Sequence, residues 1–90
     1  MVENTSQISG MQEAALVTFD ESKAFGFSSI HIEGFSEKHI KEMLKNIFVT
    51  DMEAAKLGRW LGWLQAACCI ATHGKMSLQR CKEINREYIE

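Results

Sequence analysis

The sequence lacks the features that mark several large classes of protein. It contains no proline, no internal repeat and no low-complexity stretch. No window approaches the run of about 18 uncharged apolar residues that indicates a transmembrane helix, and the first residues lack the basic and then apolar pattern of a signal peptide. A net charge of −2 provides no general attraction for DNA, RNA or an anionic membrane. We therefore expect a cytoplasmic protein whose partners include neither nucleic acid nor a membrane.

Motifs that carry catalysis or bind metals are also missing. The three cysteines have no zinc-ligand spacing, and we interpret them as small buried residues in a reducing compartment. The three histidines lie in separate predicted elements, without a serine, cysteine or carboxylate at the spacing of a catalytic triad. The sequence contains no P-loop, dinucleotide-binding or metalloprotease motif. We expect a protein that is not an enzyme, with no catalytic residues, no metal and no cofactor.

The composition and patterning of the chain predict one small, mainly α-helical domain over residues 1–90. Hydrophobic residues make up 46% of the chain and charged residues 24%. Residues 1–35 are predicted as a partly extended N-terminal arm: a loose stretch over 1–10, a helix or a strand over 11–19, a polar turn over 20–22 and an extended segment over 23–32. Residues 36–89 are predicted as the helical core.

Three helices are predicted in this core. The first, amphipathic, covers 37–48, with Ser36 as its N-cap and Phe35 packed on Ile40. The second covers 51–72, begins with a capping box of Thr50 and Glu53, and stops at Gly74. The third follows Ser77, and the short connection 73–77 predicts an antiparallel helical hairpin over 51–89.

The centre of the longest predicted helix, 58–65, combines two glycines, two tryptophans and an arginine. Glycine costs about 1 kcal/mol relative to alanine inside a helix, so the pair indicates a close approach to this backbone. A helix of 51–72 is also apolar on more than half of its circumference, and two shorter helices would not cover it. We expect it to interlock with other copies in a homo-oligomer. The predicted interface residues are Gly58, Trp60, Gly62, Trp63 and Gln65.

Residues suited to a nucleotide lie before this stretch and, at Arg59, within it. A phosphate paired with basic side chains, and a base stacked on an aromatic ring, form the usual nucleotide site. Each candidate also has a structural interpretation: a solvated helix face for the lysines, packing for Phe35, and core or ligand platform for Phe25 and Phe27. The predicted ligand-binding residues are Phe35, Lys45, Lys41, Lys38, Phe25, Phe27 and Arg59.

A family resemblance lies in the residues of the predicted hairpin. They are Arg59-Trp60-Leu61-Gly62, followed by Gln65, Gly74, Ser77 and Asn85-Arg86. This pattern resembles the helical hairpin of phage anti-CBASS cyclic-oligonucleotide sponges, shared with a domain found among inhibitors of Thoeris signalling. The resemblance implies a hexamer in the host cell cytoplasm that binds cyclic dinucleotides of the cyclic GMP-AMP type between protomers, without hydrolysis.

The resemblance also implies roles for single residues. Phe35 stands at an aromatic position where the family commonly has tyrosine, and Lys45, or else Lys41, stands at the position of the ligand-binding lysine. Arg59 corresponds to a second site, for cyclic trinucleotides, although this chain departs from the family around the hairpin turn. Two other hypotheses remain open: a helical module that inhibits a host or phage protein partner, and a small nucleic-acid-binding regulator.

Overall fold

The structure is a computed structural model that describes the backbone of residues 2–28 and 35–89, and the side chains of residues 7–28 and 35–89. Over these residues the fold is mainly α, as predicted, and contains no strand. Four helices follow one another: α1 (Val2–Phe25), α2 (Glu37–Val49), α3 (Ala54–Ala71) and α4 (Leu78–Tyr88). The Cα radius of gyration is 12.5 Å.

The prediction of an arm with a loose start, a turn at 20–22 and an extended segment from residue 23 is wrong up to residue 25. Helix α1 occupies this stretch and, with 24 residues, is the longest helix. Most of the residues on its buried face are small or hydroxylic, so they do not form a recognisable apolar stripe in the sequence. This face consists of Met11, Ala14, Ala15, Thr18, Phe19 and Ser22. Residues 29–34, the rest of the predicted extended segment, lie outside the described residues.

Helices α1 and α3 run parallel and form the centre of the domain. The Gln65 side chain donates a hydrogen bond to the Thr18 hydroxyl. Later in both segments the Ser28 backbone N–H donates to the Ala71 carbonyl oxygen at 2.9 Å, so the two segments run in the same direction. The small residues on α1 let the two helices approach closely, because interaxial distance depends on the side chains at the contact. Helices α2 and α4 pack against this pair and do not touch each other over the described residues. Much of the α3 surface that we expected another protomer to cover is therefore covered by α1.

The predicted helix caps are confirmed at three positions and fail at one. The Ser36 and Ser77 side chains accept hydrogen bonds from the backbone N–H groups of His39 and Arg80. Helix α3 ends before Gly74, whose N–H donates to the Cys69 carbonyl oxygen at 2.8 Å, as in a Schellman motif. The capping box of Thr50 and Glu53 does not form.

The start of α3 at Ala54, three residues after the predicted start, has a clear physical reason. Thr50 instead ends α2, donating its backbone N–H to the Asn46 carbonyl oxygen at 3.0 Å. The connection that follows buries Met52 in the core. Glu53, immediately before α3, makes no side-chain capping hydrogen bond. Burial of a large apolar side chain is worth more than a capping interaction.

A bidentate ion pair joins α4 to α1. Arg80 donates from Nε to Oε1 of Glu21 at 2.8 Å and from Nη2 to Oε2 at 2.6 Å. The hydrogen bonds and the positive charge of Arg80 hold the pKa of Glu21 below its ordinary value. The pair therefore stabilises the folded state above the ordinary carboxyl pKa, and this contribution is lost as the pH falls through the lowered pKa.

Glu21→Gln is expected to destabilise the protein at pH 7 and to have a much smaller effect in acid, below the lowered pKa. Because both side chains are partly exposed, the effect is modest. Urea denaturation of both proteins across the acid range measures it. The matched control is Glu13→Gln, at an exposed position of the same helix, which should change stability little. An equal loss from Glu21→Gln at pH 7 and at pH 3 would contradict the ion-pair explanation.

Candidate functional site

A pocket opens between α2 and α3, and it contains both tryptophans of the chain. Its volume is about 310 Å³ and, of the described residues, His39, Met43, Trp60 and Trp63 line it. Helix α2 contributes the histidine and the methionine from successive turns, and α3 contributes the two indoles. The lining is mostly apolar and aromatic, as is typical of small-molecule pockets.

Phe35 lies beside this pocket, immediately before the N-cap of α2. Its ring centroid is 6.3 Å from that of Trp63, and the ring planes are tilted by 54°. Trp63 is 60% exposed, whereas Trp60 and Phe35 are half-buried and pack against the core. The structure thus brings together the predicted aromatic ligand residue and two predicted interface residues. A flat aromatic ligand can reach the exposed indole without any rearrangement of the core.

The predicted lysine row is not part of this pocket. Lys38, Lys41 and Lys45 are all exposed. Successive residues of an α-helix are rotated by about 100°, so the row lies nearly opposite the buried stripe of Ile40 and Ile47. The pocket lies on another side of the helix, at His39. Within one protomer the lysines form a solvated face.

Phe25 and Phe27 lie at the far end of the central helix pair, near Ala71. Phe27 is half-buried and packs on Phe19, with ring centroids 5.5 Å apart. Phe25, the last residue of α1, is 45% exposed. The structure therefore gives Phe27 a packing role and does not bring either ring to the pocket.

The two glycines of the 58–65 stretch differ in position: Gly58 faces the inside of the domain, and Gly62 faces the outside. Gly58 faces α1, where an added Cβ would lie 3.8 Å from the Met11 sulfur, an ordinary contact, and Gly62 faces open space. The tight approach occurs instead at Gly10, where a Cβ would overlap the Tyr88 carbonyl oxygen. Within one protomer the crowded glycine is thus Gly10, which we had placed in a loose arm, and the close contact of another protomer at Gly58 and Gly62 stays a prediction.

Gln65, which we predicted at an oligomer interface, lies in the core of its own chain. Its Nε2 donates to Asn85 Oδ1 at 2.7 Å and to Thr18 Oγ1 at 3.2 Å, while Asn85 Nδ2 donates back to Gln65 Oε1 at 3.1 Å. This amide network connects α1, α3 and α4. Gln65 therefore has a structural role that explains its presence without a second protomer.

An outer stripe of α3, defined as Gly62, Trp63, Ala66 and Ile70, remains uncovered by the described part of the chain. Trp63 is 60% and Ile70 45% exposed, and Gly62 and Ala66 are also exposed. The four residues recur at helical spacing and form one apolar face. Trp63 belongs both to this stripe and to the pocket, so the two features are continuous.

The sequence analysis did not single out Lys56, an exposed basic residue that precedes the two indoles on α3. Lys56 is exposed and lies one turn before Trp60 on α3, and Arg59 lies one turn before Trp63. The i, i+4 spacing of Lys56 and Trp60 is the sequence signal that places this lysine beside an indole. Neither Lys56 nor Arg59 forms an ion pair with another described residue.

The thiols are not among the residues that line the pocket: Cys68 and Cys69 lie on α3, and Cys81 lies on α4. Burial raises the pKa of Cys68 to about 11 and that of Cys81 to about 12, so both are protonated at neutral pH. The sulfur atoms of Cys69 and Cys81 are 3.9 Å apart, and the three cysteines are free. Over the described residues no group of histidine, cysteine and carboxylate side chains is placed to hold a metal ion.

Comparisons with protein families, with curated proteins and with solved structures find no match to this chain. No helix in the described part of the chain has the length and apolar character needed to cross a membrane.

Proposed function

We propose that this protein binds a cyclic dinucleotide of the cyclic GMP-AMP type and sequesters it without hydrolysis. In this role it would act as a phage counter-defence protein that deprives host CBASS effectors of their signal. The observation that carries the proposal is the pocket between α2 and α3, in which two indoles line the cavity and Phe35 lies at its side. The resemblance of the hairpin residues to the anti-CBASS sponges supplies the class of ligand.

Stacking is the chemistry that such a pocket supports. A base stacked on an aromatic side chain contributes about 1–3 kcal/mol, and the exposed indole of Trp63 is accessible for such a contact. Met43 adds a polarizable thioether, which makes favourable contacts with aromatic rings. The proposed ligand contact is therefore a purine held against Trp63, with Phe35 packed beside that indole.

The pocket of one protomer is small for a cyclic dinucleotide, which suggests that two protomers contribute to one site. At about 310 Å³ it is at the lower end of the range for ligand pockets. It suits one base and its sugar, whereas a cyclic dinucleotide carries two bases. A complete site would then combine the pockets of two protomers. The outer stripe of α3 supplies an apolar face for that contact, and the resemblance suggests a hexamer.

Tryptophan fluorescence tests the ligand directly, because the chain has only two tryptophans and both line the pocket. Cyclic GMP-AMP is expected to change the emission and, at about one hundred times its Kd, to raise Tm by about 10 °C or more. Phe35→Ala and Trp63→Ala should each weaken binding by about tenfold or more. Leu78→Ala, at an exposed site on α4, is the control and should bind as the parent does.

Two outcomes would separate this proposal from its competitors. No Tm shift with any cyclic di- or trinucleotide would reject the sequestration function. Recovery of intact ligand after heat denaturation of the complex is expected for a sponge, whereas a linear product would indicate a phosphodiesterase.

The second candidate function is a helical module that inhibits a host or phage protein. The exposed outer stripe of α3 favours it, because contiguous apolar faces commonly mark protein interfaces. Light scattering distinguishes the two. A monomer that keeps Trp63 accessible to a fluorescence quencher favours the inhibitor, and a hexamer that shields Trp63 favours the sponge.

A further inference from the structure

We infer that Lys56 and Arg59 form the phosphate-binding edge of the α2–α3 pocket, which therefore selects an aromatic ring that carries a negative charge. This inference rests on the proposed nucleotide function and adds to it the residues that recognise the phosphate. It assigns that role to α3 in place of the lysine row on α2.

The two basic residues lie on the side of α3 that carries the indoles. Lys56 lies four residues before Trp60 and seven before Trp63, and Arg59 lies four residues before Trp63. Residues at these separations share one side of a helix, and both are exposed. Their long side chains can therefore reach the rim of the pocket from the turn that precedes the indoles.

The positive charge of Lys56 and Arg59 determines which kind of ligand the pocket favours. An aromatic pocket can also hold a cationic guest, such as a quaternary ammonium group, over the ring faces. The turn of α3 that precedes the indoles carries an ammonium group and a guanidinium group, and neither forms an ion pair with another described residue. His39 adds a hydrogen-bonding group from α2, while Glu42, one turn later, is the nearby carboxylate on that helix. Two free cations repel a cationic ligand and attract a phosphate, which Arg binds in bidentate fashion.

The lysine row provides a matched comparison. Lys41 and Lys45 are as exposed as Lys56 and Arg59, and they lie on a helix that forms the other wall of the pocket. They face away from His39, on the far side of α2. Removal of the two charges of either pair therefore changes the net charge equally, but only the α3 residues stand four positions before an indole on the same helix.

The experiment compares adenosine with adenosine 5′-monophosphate, titrated against the full chain by tryptophan fluorescence. The parent protein is expected to bind the monophosphate at least tenfold more tightly than the nucleoside. The measured quantity is the affinity ratio, the Kd of adenosine divided by the Kd of the monophosphate, and added salt should reduce this ratio. In Lys56→Gln/Arg59→Gln the ratio should fall to near one while nucleoside binding is unchanged. In Lys41→Gln/Lys45→Gln the ratio should be retained.

The inference is overturned if the ratio survives in Lys56→Gln/Arg59→Gln, if it disappears in Lys41→Gln/Lys45→Gln, or if the parent does not distinguish the two ligands. A parallel titration with cyclic GMP-AMP keeps the proposed function separate. Tight cyclic GMP-AMP binding with loss of the ratio in the α2 variant would reject the α3 assignment alone. If the parent and both double variants give the expected affinity ratios but the parent does not bind cyclic GMP-AMP, only the sequestration function is rejected.

Discussion

Gln65→Leu is expected to lower the free energy of unfolding by about 2–4 kcal/mol. The leucine would leave the carboxamide of Asn85 and the acceptor side of the Thr18 hydroxyl without their partner. Each buried polar group left unsatisfied costs about 1–3 kcal/mol. Since a protein of this size is stable by only about 5–13 kcal/mol, the loss is a large fraction of the total. Urea denaturation followed by circular dichroism measures it.

The double variant Gln65→Leu/Asn85→Leu tests the explanation. It removes both amides of the reciprocal pair together, so it should be less destabilised than the sum of the two single variants by about 1–3 kcal/mol. If the single-variant losses simply add, the amide pair does not account for the stability. Ala66→Ser, on the exposed side of the same helix, serves as the control and should stay close to the parent.

Gly10→Ala is expected to lower the free energy of unfolding by about 1–2 kcal/mol, although alanine is the better helix former. The new methyl group would overlap the Tyr88 carbonyl oxygen, and forced overpacking costs about 1–3 kcal/mol, more than the gain of about 1 kcal/mol in helix propensity. For a domain of about this size the difference corresponds to a fall in Tm of roughly 4–16 °C. Differential scanning calorimetry measures it.

Gly62→Ala is the matched substitution, in a helix interior with nothing within 4 Å of the new methyl group. In a monomer it should stabilise the chain by up to about 1 kcal/mol through helix propensity alone. A rise in Tm from Gly10→Ala would show that α1 and α4 do not approach as closely as described. Loss of oligomers from Gly62→Ala would instead identify Gly62 as the close contact between protomers.

The elements that the sequence predicts well are those whose side chains carry a strong local signal. Helix α2 shows its buried stripe of Ile40, Met43 and Ile47 at regular spacing, and its N-cap serine acts as expected. The end of α3 and the cap of α4 follow from Gly74 and Ser77 in the same way. Such signals depend only on neighbours in the chain, so they can be interpreted without knowledge of the tertiary structure.

The sequence left a helix open only over 11–19, and the full length of α1 could not be predicted in this way because its stability depends on distant partners. Ala14, Ala15, Thr18 and Ser22 are fully buried, yet small and hydroxylic residues are equally common on exposed faces. Gly10 argues against a helix until the Tyr88 carbonyl that requires it is known. The arrangement of the candidate site could not be predicted for the same reason. The aromatic residues were identified from composition, but only the packing of α2 on α3 places Trp63 beside Phe35 and turns the lysine row away.

During synthesis α1 leaves the ribosome well before the helices that cover it. Thr18 meets Gln65, 47 positions later, and Glu21 meets Arg80, 59 positions later. At about 5–20 residues per second, the chain needs several seconds to supply these partners. Most of the stability of a helix in a protein comes from tertiary packing, and the small residues of α1 offer little apolar area for early collapse. Of the four described helices α1 is made before the others, yet it is among the last to acquire its native contacts, and folding of this domain is completed only after α4 has emerged.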